Sequence, residues 1–195
     1  WIEDNLKVPT LVIKHPTRWP ESTWSGGLKK VVQIGYCLRD TRFIHKQRLI
    51  PPWTRMKLST GDEQYHKRDQ ALKTVQRDSN DNDSLEFKHQ VSPEEYESIL
   101  LNCVVCTYLY GAAANNVIIE CMVHGTPLIV NPLQSVVEYL GPNYPLYYKG
   151  DIKKLLEQDL LHAANQYLLM RRNVLPTVQN FCFKINQFVE NLQHQ

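Results

Sequence analysis

Short apolar, β-branched runs that stop at glycine or proline, set apart by stretches of helical spacing, restrict what this chain can fold into. Residues 29–35 (KKVVQIG) carry such a run closed by Gly35, and residues 104–110 (VVCTYLY) carry another closed by Gly111. Residues 127–131 (PLIVN) make a third. Between the last two, residues 115–124 (NNVIIECMVH) have the spacing of a short helix, with Gly125 where a helix ends in a left-handed residue. A strand buried on both faces reads as an apolar run, and parallel strands need a crossover between them, usually a helix. The order therefore predicts an α/β fold: a Rossmann-like parallel sheet with helices on both faces.

The remaining segments fit that frame. Residues 9–14 (PTLVIK) form a β-branched run that ends at His15-Pro16, and 17–27 read as a polar connection. Residues 41–58 give no clear element, and Pro51-Pro52 excludes a helix through them. Residues 62–77 are polar and helix-permissive and predict a surface helix, and 79–84 (SNDNDS) predict a flexible loop. Residues 85–91 (LEFKHQV) alternate as a strand does. Ser92-Pro93-Glu94-Glu95 then opens a helix to about 102, with Ser92 as cap, Pro93 at the first helical position and Glu95 closing a capping box. Further on, 135–140 predict a helix stopped by Gly141, and 145–148 (PLYY) a strand. Residues 151–172 predict one long helix, Pro176 interrupts, and 177–193 predict a last helix with Phe181, Ile185, Phe188 and Leu192 on one stripe.

Charge and composition narrow the function. Basic and acidic residues number 22 and 20, so there is no excess to favour a nucleic acid or an acidic membrane surface. No run reaches the ~18 apolar residues of a membrane-spanning helix, and the first residues lack the pattern of a signal peptide. The chain begins without Met and is expected to be a piece of a longer protein. The five cysteines, Cys37, Cys103, Cys106, Cys121 and Cys182, are odd in number and lie in apolar segments, which predicts free thiols in a reducing, cytoplasmic setting. Cys103-Val-Val-Cys106 has the spacing of a metal or redox pair. Placed on one strand, however, the two thiols point to opposite faces, so no metal site is predicted.

In an open α/β sheet a ligand binds beyond the carboxyl ends of the strands. Two such ends stand out. One is the loop after Gly35, with Arg39 and Arg42; the other is 111–116 (GAAANN), whose small residues let a ligand approach the backbone. Asn115 or Asn116 would cap the following helix, whose free N–H groups and partial positive charge suit a phosphate. Glu120, one turn into that helix, could accept hydrogen bonds from ribose hydroxyls, and Arg39 could neutralise a diphosphate. Each has a plainer reading beside it: an ordinary capped helix, a solvated glutamate, surface arginines.

The stretch NNVIIECMVHGTPLIVNPLQSVVEYLGPNYPLYY resembles the C-terminal domain of glycosyltransferases with the GT-B fold, closest to group-1-like enzymes of bacterial or large-virus surface-glycan pathways. In that family a helical Glu is followed by Gly-Thr-Pro, an apolar strand and a second Glu in the next helix. Here these are Glu120, Gly125-Thr126-Pro127, 128–130 and Glu138. Residues 29–35 and 85–110 match the preceding strands and helix, so the resemblance spans about 29–150.

The resemblance implies that Glu120 holds the nucleotide ribose, that the backbone of Asn115, Asn116 and Val117 holds the distal phosphate, that Arg39 faces the diphosphate and that Glu138 borders the site. Residues 29–195 would be a nucleotide-sugar donor domain, one half of a GT-B fold. Residues 1–28 would be an inter-domain connection or the end of an N-terminal domain that receives the glycan acceptor. The donor would be a UDP- or GDP-linked sugar, with no other cofactor. The family's earlier Glu, which contacts the transferred sugar, is Ala112 here, and this leaves the sugar, the stereochemical outcome and the catalytic residues unassigned. Two alternatives stand beside transfer: half of a nucleotide-sugar epimerase, and a degenerate domain that binds a partner without chemistry.

Overall fold

A computed structural model describes residues 9–11, 14, 16–35, 38–59, 85–111 and 116–193. In chain order the regular elements are β1 (Lys30–Ile34), β2 (Thr54–Ser59), β3 (Leu85–His89), α1 (Pro93–Asn102), β4 (Val104–Thr107), α2 (Asn116–His124), β5 (Leu128–Val130), α3 (Gln134–Leu140), α4 (Gln158–Arg171) and α5 (Val178–Gln193). The five strands form one wholly parallel sheet in the order β3-β2-β1-β4-β5. The expected Rossmann-like α/β architecture is what the chain adopts.

The centre of the sheet is apolar on both sides. Val31, Val32, Ile34, Val104, Val105, Leu128, Ile129 and Val130 are all buried, which accounts for their unbroken apolar runs. Ser92 caps α1 as its sequence requires, its hydroxyl accepting the Glu95 N–H at 3.2 Å with Pro93 at the first position. The Glu95 carboxylate pairs with Lys88 of β3 instead of closing the capping box. After α2, Gly125 has φ +69°; its N–H donates to Met122 and the Thr126 N–H to Cys121, a Schellman ending. The polar residues before β1 are fastened to the sheet's helices. The indole N–H of Trp24 donates to the Cys103 carbonyl at 2.8 Å, and the Trp24 N–H donates to His124.

Several expectations are corrected. A strand, β2, runs through the segment where none was expected. Its Arg55 and Lys57 are buried beside Met56 and Leu58 and interrupt the apolar signal. β4 stops at Thr107, and residue 109 instead makes an isolated antiparallel bridge with Arg39. Cys103 therefore precedes the strand as the last cap of α1 and does not share β4 with Cys106. Residues 145–148 form a single bridge, Tyr147 to Val130, and no sixth strand. The long helix expected over 151–172 is split: a 3-10 turn at Lys153–Leu156 is followed by the extended Glu157, and α4 starts after it. Described residues of 9–14 are not in a strand, and the helix and loop expected over 62–84 lie outside the described residues. α5 carries the expected apolar stripe, with Ile185 and Leu192 exposed and Phe181 and Phe188 half-buried.

Candidate functional site

The site is built where β1, β3 and β4 end. β1 closes at buried Ile34, and Gly35 turns the chain with φ +69°. Two basic side chains cap the last carbonyls of this strand: Arg39 Nη1 donates to Ile34 O at 2.5 Å, and the fully buried Lys57 Nζ donates to Gly35 O at 2.8 Å. The loop beyond is laced to the end of β4. Asp40 N donates to Tyr108 O at 2.7 Å and Tyr110 N to Leu38 O at 2.9 Å, on either side of the bridge between Arg39 and Leu109. Leu38 pays for this with a left-handed backbone, φ 54°.

The underside of the loop is held from within the sheet. Gln33 of β1 is fully buried; its Nε2 donates to Asp40 O at 2.7 Å and its Oε1 accepts the Ile44 N–H at 3.0 Å. Arg55 of β2 reaches the same segment and donates through Nη1 to the carbonyls of Ile44, His45 and Gln47, the last at 2.7 Å. A buried polar group is tolerated when its bonds are made, and the bonds of Gln33 and of Arg55 Nη1 go to the backbone of the segment that carries Arg39.

Across the edge stands α2. Asn116 is its exposed first residue and Val117 is buried behind it. Asn115 and Ala112 lie outside the described residues. Glu120, half-buried, accepts a hydrogen bond at Oε2 from the Tyr96 hydroxyl at 2.5 Å. Tyr96 comes from the first turn of α1, which packs beside α2. Burial raises the pKa of Tyr96 well above the ordinary phenol value, and the Glu120 charge and hydrogen bond raise it further, so the phenol stays a neutral donor. The positive charge of Arg39 acts on Tyr96 in the opposite sense, as the smallest of these influences. One turn on, His124 Nδ1 donates to the Glu120 carbonyl at 2.8 Å. Thr107 Oγ1, at the end of β4, is buried with no hydrogen-bond partner among the described residues.

Arg39, Glu120, Asn116 and Val117 thus share one edge of the sheet. Glu138 is exposed on α3, past the end of the neighbouring β5, and its backbone carbonyl accepts from Lys14 Nζ at 3.3 Å. Arg42 is exposed away from the pair, its N–H held by Asp40 Oδ1 at 2.9 Å. Tyr96 is the residue that sequence reasoning missed. The available signal was positional: it lies in the first turn of a helix that starts beyond a strand's carboxyl end, and Glu120 lies one turn into another such helix.

No group of His, Cys, Asp and Glu among the described residues could hold a metal ion. Cys103, Cys106 and Cys121 are buried free thiols, and burial raises all three, Cys103 to about 11. A thiol so raised stays protonated at neutral pH and is a poor nucleophile and metal ligand. In the folded protein at pH 8, iodoacetamide is expected to label exposed Cys182 and to spare these three until denaturant is added. Mass spectrometry reads the pattern, and one equivalent of zinc or a disulfide between Cys103 and Cys106 would contradict it.

No protein-family model matches the chain, and no curated protein matches it. Solved structures do. The pneumococcal O-GlcNAc transferase GtfA in complex with UDP and GlcNAc is similar at 16% identity and a TM-score of 0.61, over 89% of this chain and 38% of that one. Anabaena HepE in complex with UDP-glucose is similar at 14% identity and a TM-score of 0.56, over 85% and 49%. Sucrose-phosphate synthase from Thermosynechococcus elongatus is similar at 15% identity and a TM-score of 0.62, over 98% and 48%. The chain has the Rossmann-like fold of one half of a GT-B glycosyltransferase. It spans less than half the length of each of these structures. Among the described residues no helix is long and apolar enough to cross a membrane.

Proposed function

We propose that these residues are the donor-binding half of a glycosyltransferase and hold a nucleoside-diphosphate sugar, UDP- or GDP-linked. The observation that carries the reading is the Tyr96–Glu120 hydrogen bond beside the start of α2, with Arg39 on the loop bridged to the end of the preceding strand, in a fold whose similar solved structures include complexes with UDP and UDP-glucose. Glu120 takes the ribose. The backbone N–H groups of Asn115, Asn116 and Val117 take the distal phosphate, favoured by the helix dipole. Arg39 faces the diphosphate, and Glu138 borders the site from the next strand end. The buried free thiols support a reducing, cytoplasmic setting.

Transfer also needs a glycan acceptor held in near-attack geometry, a positioning effect of roughly 7–11 kcal/mol. We assign the acceptor to a second domain, and the 195 residues alone bind donor without transferring it. The test is a thermal-shift screen against UDP, GDP, ADP and their sugars. Ligand at about 100 times its Kd stabilises by ~2.7 kcal/mol. A shift with one nucleotide series supports the reading, and no shift with any of them overturns it. Product analysis on a protein with both halves separates transfer from epimerisation, and robust transfer by these residues alone contradicts the division of labour.

A further inference from the structure

We propose that Tyr96 is a positioning residue that fixes the Glu120 carboxylate and thereby makes the site select ribonucleotides over deoxyribonucleotides. The inference rests on the nucleotide-binding reading above and deepens it. Glu120 is half-buried one turn into α2, and a glutamate there has three side-chain torsions with which to scatter. The Tyr96 hydroxyl removes that freedom: it donates to Oε2 at 2.5 Å from a separate, packed helix whose own start is pinned by Ser92. Hydrogen bonds from a hydroxyl to a carboxylate are short and among the stronger ones. With Oε2 held by the phenol, Oε1 and the remaining lone pair of Oε2 face a ligand from one fixed place.

The polarity of this bond is set by its surroundings. Burial and the Glu120 charge both keep the phenol protonated, so it donates and does not compete as an anion. The backbone at Glu120 is tied as well, through His124 Nδ1 to its carbonyl at 2.8 Å. A site with a fixed, partly buried acceptor discriminates against a ligand that lacks the matching hydroxyl, because the acceptor is then left unpaired. A loose glutamate swings to water and discriminates little.

The test compares UDP with 2′-deoxy-UDP, and GDP with 2′-deoxy-GDP, by calorimetry on the whole chain. For the nucleotide that binds, the original protein is expected to prefer the ribo form by tenfold or more. Tyr96→Phe keeps the ring and its packing. It is expected to weaken the ribo form about three- to tenfold and leave the deoxy form nearly unchanged, so the preference collapses. Glu120→Asp keeps the charge but draws the carboxylate away from Tyr96, and it is expected to lose the preference in the same way; it serves if Tyr96→Phe does not fold. A purely structural staple would lower Tm in these variants and leave the ribo/deoxy ratio as it was, and that result overturns the inference while the nucleotide reading stands. If the original protein binds neither the uridine nor the guanosine pair, the nucleotide reading itself fails and the inference with it.

Discussion

Replacing Glu120 by Gln is expected to weaken nucleotide binding about tenfold or more while the fold survives. The substitution keeps the side chain's size and leaves one oxygen for the Tyr96 hydroxyl, which donates to Oε2 at 2.5 Å in the original. What remains for the ligand is an amide N–H in place of a charged oxygen. Hydrogen bonds to charged groups contribute ~1.5–3 kcal/mol, the order of a tenfold change or more. The helix around it does not depend on the charge, since Val117, Ile118, Cys121 and Met122 anchor α2 in the core. Calorimetry with the nucleotide found in the thermal-shift screen measures the loss. Unchanged affinity with unchanged Tm would remove Glu120 from the site.

The second large effect is expected at Gly125, on stability. Gly125→Ala must hold φ +69°, which costs a residue with a side chain about 1–2 kcal/mol. The new methyl would also lie 2.6 Å from Asn165 Nδ2 and 2.9 Å from Leu169 of α4. Asn165 cannot simply swing aside, since it is buried and donates to the Gly125 carbonyl at 2.7 Å, so relief means shifting α4 against α2. Overpacking of this kind adds about 1–3 kcal/mol. Together these give roughly 2–5 kcal/mol, or a fall in Tm of about 5–20 °C for a chain of this size. Thermal unfolding followed by circular dichroism reads it, and a fall below about 2 °C would mean that the α2–α4 contact is looser than these packing distances require.

The parallel sheet was legible because its central strands are buried on both faces, so that the apolar runs at 29–35, 104–110 and 127–131 could be read directly, although the second run outlasts its strand, which stops at Thr107. β2 was not, for a definite reason. Arg55 and Lys57 break its apolar run, and only the folded chain shows that their charges are met by the carbonyls of Gly35, Ile44, His45 and Gln47. Sequence spacing also merged the turn at Lys153–Leu156 with α4, because the apolar Leu156 and Leu160, four residues apart, keep helical spacing across the extended Glu157. In the site, Arg39 and Glu120 were legible from their places after strand ends and from a family resemblance. Tyr96 was not: its contact with Glu120 spans 24 residues and depends on how α1 lies against α2. Periodicity along one element carries no information about such a contact.

Binding loops usually belong to the least protected part of a protein and open locally without disturbing the rest. The segment from Leu38 to Gln47 is built differently, since its carbonyls and the Ile44 amide are held by side chains rooted in the middle of β1 and β2. It cannot detach without stranding Gln33 and Arg55 in the interior, so it opens only when the sheet opens. The arm that carries Arg39 is therefore part of the same cooperative unit as the core. Its shape is settled when the protein folds, and a ligand arriving there meets a finished surface and has no ordering entropy of that arm to offset.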